Sequence, residues 1–76
     1  MRPLVEFVAR SLVEDPGAVE VREVRTEPAV VYQLRVAPGD VGRIIGKHGR
    51  TAQALRVLLA ASAARGGRRA ALEIQE

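Results

Sequence analysis

Gly46 and Gly49 stand three positions apart and enclose Lys47 and His48, with Arg43 and Arg50 on either side. Glycine takes φ > 0 and lets a backbone come close to a ligand at little steric cost. A tight turn of this composition would aim main-chain N–H groups and two basic side chains at an anion. The chemistry on offer is the capture of phosphate groups, not the making of bonds. Other glycine loops do not fit. A phosphate loop of the Gly-x4-Gly-Lys-Ser/Thr type needs glycine where Val41 stands and a hydroxyl where His48 stands. A dinucleotide fingerprint needs a Gly-x-Gly step, and Ile44 occupies the first of those positions. His48 is the only histidine and there is no cysteine, so a metal site of His and Cys ligands is excluded. No pair of titratable groups sits at a catalytic spacing, which argues against an enzyme and against any cofactor or small-molecule substrate. The same two glycines also suit a bare helix–helix turn, and the surroundings must decide between the readings.

Charge is the first of those surroundings. The net charge is +3, yet residues 1–40 carry 5 basic and 7 acidic groups and residues 41–76 carry 7 basic and 2 acidic. No acid lies between Asp40 and Glu73, so the glycine pair sits inside an uninterrupted positive stretch. All the cations except Lys47 are arginine, whose planar fork suits phosphate and stacks on rings.

The elements needed to hold such a turn are legible in the pattern of apolar residues. Leu4, Val5, Val8, Leu12 and Val13 recur at helical spacing behind Pro3, a residue suited to a first helical turn, and Asp15-Pro16-Gly17 ends that helix. Val19 to Thr26 reads as a strand whose alternation slips between Val21 and Val24, which predicts a bulge or a frayed half. A turn follows at residues 27–29. Val30, Tyr32, Leu34 and Val36 alternate with Val31, Gln33 and Arg35 as the clearest strand. Asp40 is placed to cap a short helix over Val41–Ile45. Residues 51–65 predict a helix with Leu55, Leu58, Leu59 and Ser62 on its inner face, closed by Gly66-Gly67. A last strand runs from Arg69 to Gln75 with Ala70, Leu72 and Ile74 inward. The order is α-β-β-α-α-β, with the glycine turn between the two central helices.

Seventy-six residues make one domain, 1–76, near the size at which only ~60% of the chain's surface is buried on folding. Twelve residues are alanine, and Phe7 and Tyr32 are the only aromatics. Such a thin core predicts a dimer. Glu6 and Arg10 interrupt the first apolar stretch, which speaks against a signal peptide. No apolar run approaches the ~20 residues of a membrane span. A cytoplasmic protein without membrane contact is expected.

The run Asp40 to Leu55, with Gly46-Lys47-His48-Gly49 at its centre, resembles the GxxG segment of KH domains. Together with the element order, it is similar to the small stand-alone KH proteins of bacteria (KhpA-like) over almost the whole chain. The resemblance implies an α+β fold of the type II KH kind, a three-stranded mixed sheet covered on one face by helices. It further implies a cleft that holds about four nucleotides of single-stranded RNA. Gly46, Lys47, His48 and Gly49 would meet the sugar–phosphate backbone, with Arg43 and Arg50 adding contacts. Val41, Ile44 and Ile45 are candidates for an apolar floor, with the second strand as the far wall. Which isoleucine faces the cleft stays open. With so few aromatics, binding is expected to be backbone-dominated and of low sequence selectivity, as in an RNA chaperone or post-transcriptional regulator. The alternative is a protein-interaction module: a dimer, or a partner of a second, Jag-like KH protein in the control of cell elongation and division. Ala52 departs from the broader KH pattern, where a larger aliphatic is common, and shortens the wall beside the loop.

Overall fold

The computed structural model describes residues 2–26 and 29–75. Three α-helices, α1 (Arg2–Leu12), α2 (Val41–Ile45) and α3 (Arg50–Arg65), lie on a sheet of β1 (Glu20–Thr26), β2 (Ala29–Arg35) and β3 (Arg69–Gln75). The chain order α-β-β-α-α-β is the one the sequence predicts. β2 is central; it pairs antiparallel with β1 and parallel with β3. A parallel pair cannot be joined by a tight turn, so the chain crosses over through α2 and α3, and the glycine turn lies within that connection.

The core forms between the helices and one sheet face. Val30, Tyr32 and Leu34 of β2, with Val36 just beyond it, meet Val5 and Ala9 of α1, Ile44 of α2, Leu55 and Leu59 of α3, and Leu72 of β3. Val5 and Ala9 are four apart, one turn of helix, and leave Phe7 on the outer side, 71% exposed.

Four expectations need correction or completion. No bulge interrupts β1, since every residue from Glu20↔Arg35 to Thr26↔Ala29 pairs in unbroken register. The slip in the pattern arises because Val21 faces the helices while Val24 pairs with Val31 on the open face. The inner stripe of α3 is Ala52, Leu55 and Leu59, whereas Leu58 is 52% exposed. Leu58 lies ~100° round the helix from Leu59, so docking through the small Ala52 turns it outward. Of the turn expected at residues 27–29, Ala29 already belongs to β2, and 27 and 28 lie outside the described residues. Asp40, finally, does not cap α2.

The Asp40 carboxylate turns back toward the segment after α1. Its Oδ1 accepts the Glu14 N–H and its Oδ2 the Asp15 N–H, both at 3.1 Å. Arg43 Nε lies 3.3 Å from Oδ1, and Arg43 Nη2 donates to Glu14 Oε1 at 2.5 Å. Asp40 is only 4% exposed, and these donors satisfy it. The network fixes α2, and hence the start of the glycine turn, against the end of α1. At the other end of the layer, the Gly66, Gly67 and Arg68 N–H groups bond to the Ala63 and Ala64 carbonyls, and Gly67 takes φ +71°. That left-handed glycine ends α3 as the sequence predicts.

Candidate nucleic-acid interface

The segment between α2 and α3 is a compact turn whose backbone needs its glycines. Gly46 adopts φ +77° and ψ 172°, a region open to glycine alone, and Gly49 adopts φ +74° and ψ 11°. His48 between them also has positive φ, +59°, a left-handed conformation uncommon for a side-chain-bearing residue. The Gly46 N–H donates to the Gly42 carbonyl at 2.9 Å and the Gly49 N–H to the Gly46 carbonyl at 3.1 Å. Among the described residues this leaves the Lys47 and His48 N–H groups without a main-chain acceptor. Both side chains are exposed at the tip and pair with no carboxylate among the described residues. A Cβ on Gly46 would lie 2.2 Å from Thr51 Oγ1, so the first turn of α3 presses directly on the loop.

Beside the turn runs a groove of about 500 Å³. Val41 and Ile45 of α2, then Gly49, Ala52 and Arg56 along α3, and Ile74 of β3 line it. The two isoleucines separate here. Ile44 is 1% exposed in the core, whereas Ile45 is 40% exposed on the groove, because neighbours on a helix point ~100° apart. Of the pair, only Ile45 can meet a ligand in the groove. The sheet's contribution comes from the edge strand β3 and not, as the resemblance implied, from the second strand. Arg43 flanks the loop but its guanidinium is engaged by Asp40 and Glu14. Arg50 opens α3 and is exposed.

Arg56 is the residue that sequence reasoning missed. It sits four positions after Ala52, so the two share one face of α3, and Gly49 stands just ahead of that helix. That spacing was readable; what was not readable is that this face borders a groove. Arg56 pairs with no carboxylate among the described residues. The groove therefore sets aliphatic side chains beside one cation and exposed polar surface, with the Lys47–His48 tip next to Gly49 at its end. Such a site suits a polyanion carrying flat apolar groups, with phosphates at the tip and rings against Ile45 and Ile74.

A larger depression, about 920 Å³, lies along β1 beside the first turn of α1. Its lining mixes Arg2, Arg22 and Arg35 with Glu6, Glu20 and Glu23, and β1 is the opposite edge of the sheet from β3. Balanced charge of both signs gives it no preference for an anion. Among the described residues no cluster of three His, Cys, Asp or Glu could hold a metal ion, and no helix is long and apolar enough to cross a membrane.

Proteins named RNA-binding protein KhpA match the chain along nearly its full length. That of Treponema pallidum is 54% identical over 71 residues, covering 93% of this chain and 89% of the relative. That of Caldanaerobacter subterraneus subsp. tengcongensis is 45% identical over 74 residues, 97% of this chain and 99% of the relative. The Aquifex aeolicus protein is 43% identical over 76 residues, all of this chain and 96% of the relative. No solved structure matches the chain. The family model described as KhpA/KhpB, KH domain matches residues 2–74, which takes in every element from α1 to Ile74 at the groove. By that match, and by relatives more than 40% identical along nearly its whole length, the chain belongs to the KhpA/KhpB family of KH domains.

Proposed function

We propose that this protein binds single-stranded RNA, holding about four nucleotides in the groove between α2, α3 and β3. The observation that carries the reading is the junction of the glycine turn with that groove: free N–H donors and two exposed basic side chains meet a trough of aliphatic side chains with Arg56 among them. Lys47, His48 and the backbone of Gly46 and Gly49 contact phosphate, and Arg50 adds charge at the flank. Arg43 contributes less than its position suggests, since two carboxylates already neutralise it. Bases rest on Val41, Ile45, Ala52 and Ile74. No aromatic ring lines this floor, so stacking gives little sequence preference. Weak, backbone-led binding suits an RNA chaperone or post-transcriptional regulator acting in the cytoplasm, and the names of the relatives support the RNA-binding part of this reading.

The test is Lys47→Asp with His48→Asp. Neither side chain is packed, so circular dichroism stays unchanged while RNA binding is lost. If about three phosphates are neutralised, log affinity falls with log salt at a slope of roughly −2. Undiminished binding by the folded double variant would refute the mechanism.

A second reading, self-association or pairing with another KH protein, is favoured by one observation. Phe7 on α1 and Val57 and Leu58 on α3 are all more than half exposed, large apolar side chains that the core does not use. These faces lie away from the groove, so a partner there and RNA in the groove are compatible.

A further inference from the structure

A second cavity, about 290 Å³, opens beneath the C-terminal end of α3. That is the lower limit of volumes that hold a small ligand, about 300 Å³. Val30, Tyr32 and Ala70 form its floor, Ser62 and Ala63 its roof, and Arg68 stands at its edge. It exists because the last turn of α3 carries only small residues over the sheet, whereas Leu55 and Leu59 fill the middle of the same helix. Small residues alone would be a packing fault. Tyr32 makes it more than that. Its side chain lines the cavity and is 5% exposed, yet its hydroxyl has no hydrogen-bond partner among the described residues. No buried side-chain oxygen or nitrogen in the described residues lacks a partner, so this hydroxyl is one that solvent reaches. Burial, and next the Glu23 carboxylate, push the phenol above its ordinary pKa, so it keeps its proton and stays a donor. Arg25 and, after it, Arg68 act on the phenol in the opposite sense, so both cations stand within electrostatic reach; Arg25 is held by Glu23, whereas Arg68, which also lines the cavity, pairs with no carboxylate among the described residues.

We propose that this cavity is a second nucleotide site, in which Arg68 takes a phosphate, the Tyr32 and Ser62 hydroxyls bond to a base or sugar, and Val30, Ala63 and Ala70 enclose the ring. The occupant is a nucleotide of the RNA strand whose first four residues lie in the groove, so the inference rests on the reading above. α3 separates the two sites. From Arg50, just behind the loop tip, to Ser62 over the cavity the helix rises roughly 18 Å. At ~3.4 Å per stacked nucleotide that is about five nucleotides. A tetranucleotide cannot reach both sites, and a decanucleotide can.

The experiment compares tetranucleotide and decanucleotide uridylate RNA against wild type, Arg68→Gln, Arg69→Gln, Tyr32→Phe and Ala63→Leu. Arg69 is the control, since it pairs with Ala29 in the ladder and points to the sheet face away from the cavity. Longer RNA offers more registers, which raises affinity without any second site; the comparison is therefore made between variants at one length. For the decanucleotide, Arg68→Gln should lessen the salt slope by about 0.7, the contribution of one phosphate on a single strand. Arg69→Gln should leave the slope unchanged. Tyr32→Phe should weaken decanucleotide binding by roughly two- to tenfold, the worth of one hydrogen bond. Ala63→Leu, which fills the space and keeps a good helix former, should weaken it likewise. None of the four should alter tetranucleotide binding. Equal effects of Arg68→Gln and Arg69→Gln would mean a diffuse positive surface and overturn the second site, as would equal losses at both lengths. If tetranucleotide binding does not depend on Lys47 and His48, the groove reading itself fails. If it does, and Arg68→Gln leaves the decanucleotide slope intact, the second site alone is wrong.

Discussion

Replacing Gly46 by alanine superimposes two costs. At φ +77° and ψ 172° the residue occupies backbone space reserved for glycine, a strain of about 1–3 kcal/mol for any other residue. The new Cβ would also stand 2.2 Å from Thr51 Oγ1, 2.6 Å from Thr51 Cβ and 3.0 Å from the Thr51 nitrogen. Rotating the threonine removes the first contact but not the other two, and the nitrogen belongs to the first turn of α3. The loop or the helix must move, which adds about 1–3 kcal/mol of overpacking. The sum, roughly 2–6 kcal/mol, is a large part of the ~4–11 kcal/mol expected of a 76-residue domain. Gly49→Ala is the matched control. Its φ is also positive, +74°, but a Cβ there meets nothing within 4 Å, so only a left-handed strain of about 1–2 kcal/mol applies. Urea unfolding followed by circular dichroism should rank wild type above Gly49→Ala above Gly46→Ala. In thermal melts each kcal/mol corresponds to roughly 4–8 °C. Adding Thr51→Ala to Gly46→Ala removes the Oγ1 contact and leaves the Cβ contact, so rescue should be partial. If Gly46→Ala proves no worse than Gly49→Ala, the close packing of Thr51 on the loop is not what demands a glycine there.

Three further outcomes are expected. Asp40→Ala strands the Glu14 and Asp15 N–H groups and frees one face of Arg43, at about 2–4 kcal/mol, while Asp40→Asn keeps one acceptor oxygen and should lose less; denaturant midpoints distinguish them. The Tyr32 phenol is raised by burial, so the folded state holds its proton longer than the unfolded state does, and its stabilising share is present below pH ~10 and lost as pH rises through the folded value; wild type should lose stability above pH 10 more steeply than Tyr32→Phe. Leu58→Glu with Val57→Glu should leave the helical circular dichroism signal unchanged, since both side chains are more than half exposed, and should abolish self-association in sedimentation together with any concentration dependence of the melting temperature; a wild type that is already monomeric at high micromolar concentration would refute the assembly reading.

The element order was legible because the apolar period changes from helical to alternating and back, and each boundary carries Pro or Gly. Errors came where a residue's role depends on a neighbour far along the chain. Asp40 has the composition of a helix cap, and its donors lie 26 and 25 residues away at Glu14 and Asp15. Leu58 looks like core beside Leu55 and Leu59, but the buried stripe of α3 runs through Ala52, Leu55 and Leu59 and leaves it outside. Ile44 and Ile45 could not be told apart by type, since only the docking of α2 decides which one is buried. Arg56 was invisible for the same reason: a helix face becomes a groove wall only when β3 lies beside it. The loop was readable because its requirement is local, a backbone that only glycine allows.

The glycine turn lies on the connection between two parallel strands, and this governs how the molecule comes apart. β3 pairs with β2 from Ala29↔Arg69 to Arg35↔Gln75, and no shorter covalent path joins them than α2, the turn and α3. A ligand held by Ile45, Arg56 and Ile74 straps the crossover to the strand it leads to. That strand cannot peel from the edge until the ligand has gone. The groove is complete only after β3 has docked, so the ligand has nothing to hold during most of the climb to the folding barrier. Bound RNA should then act as a kinetic brace, slowing unfolding in proportion to occupancy while leaving the refolding rate where it was.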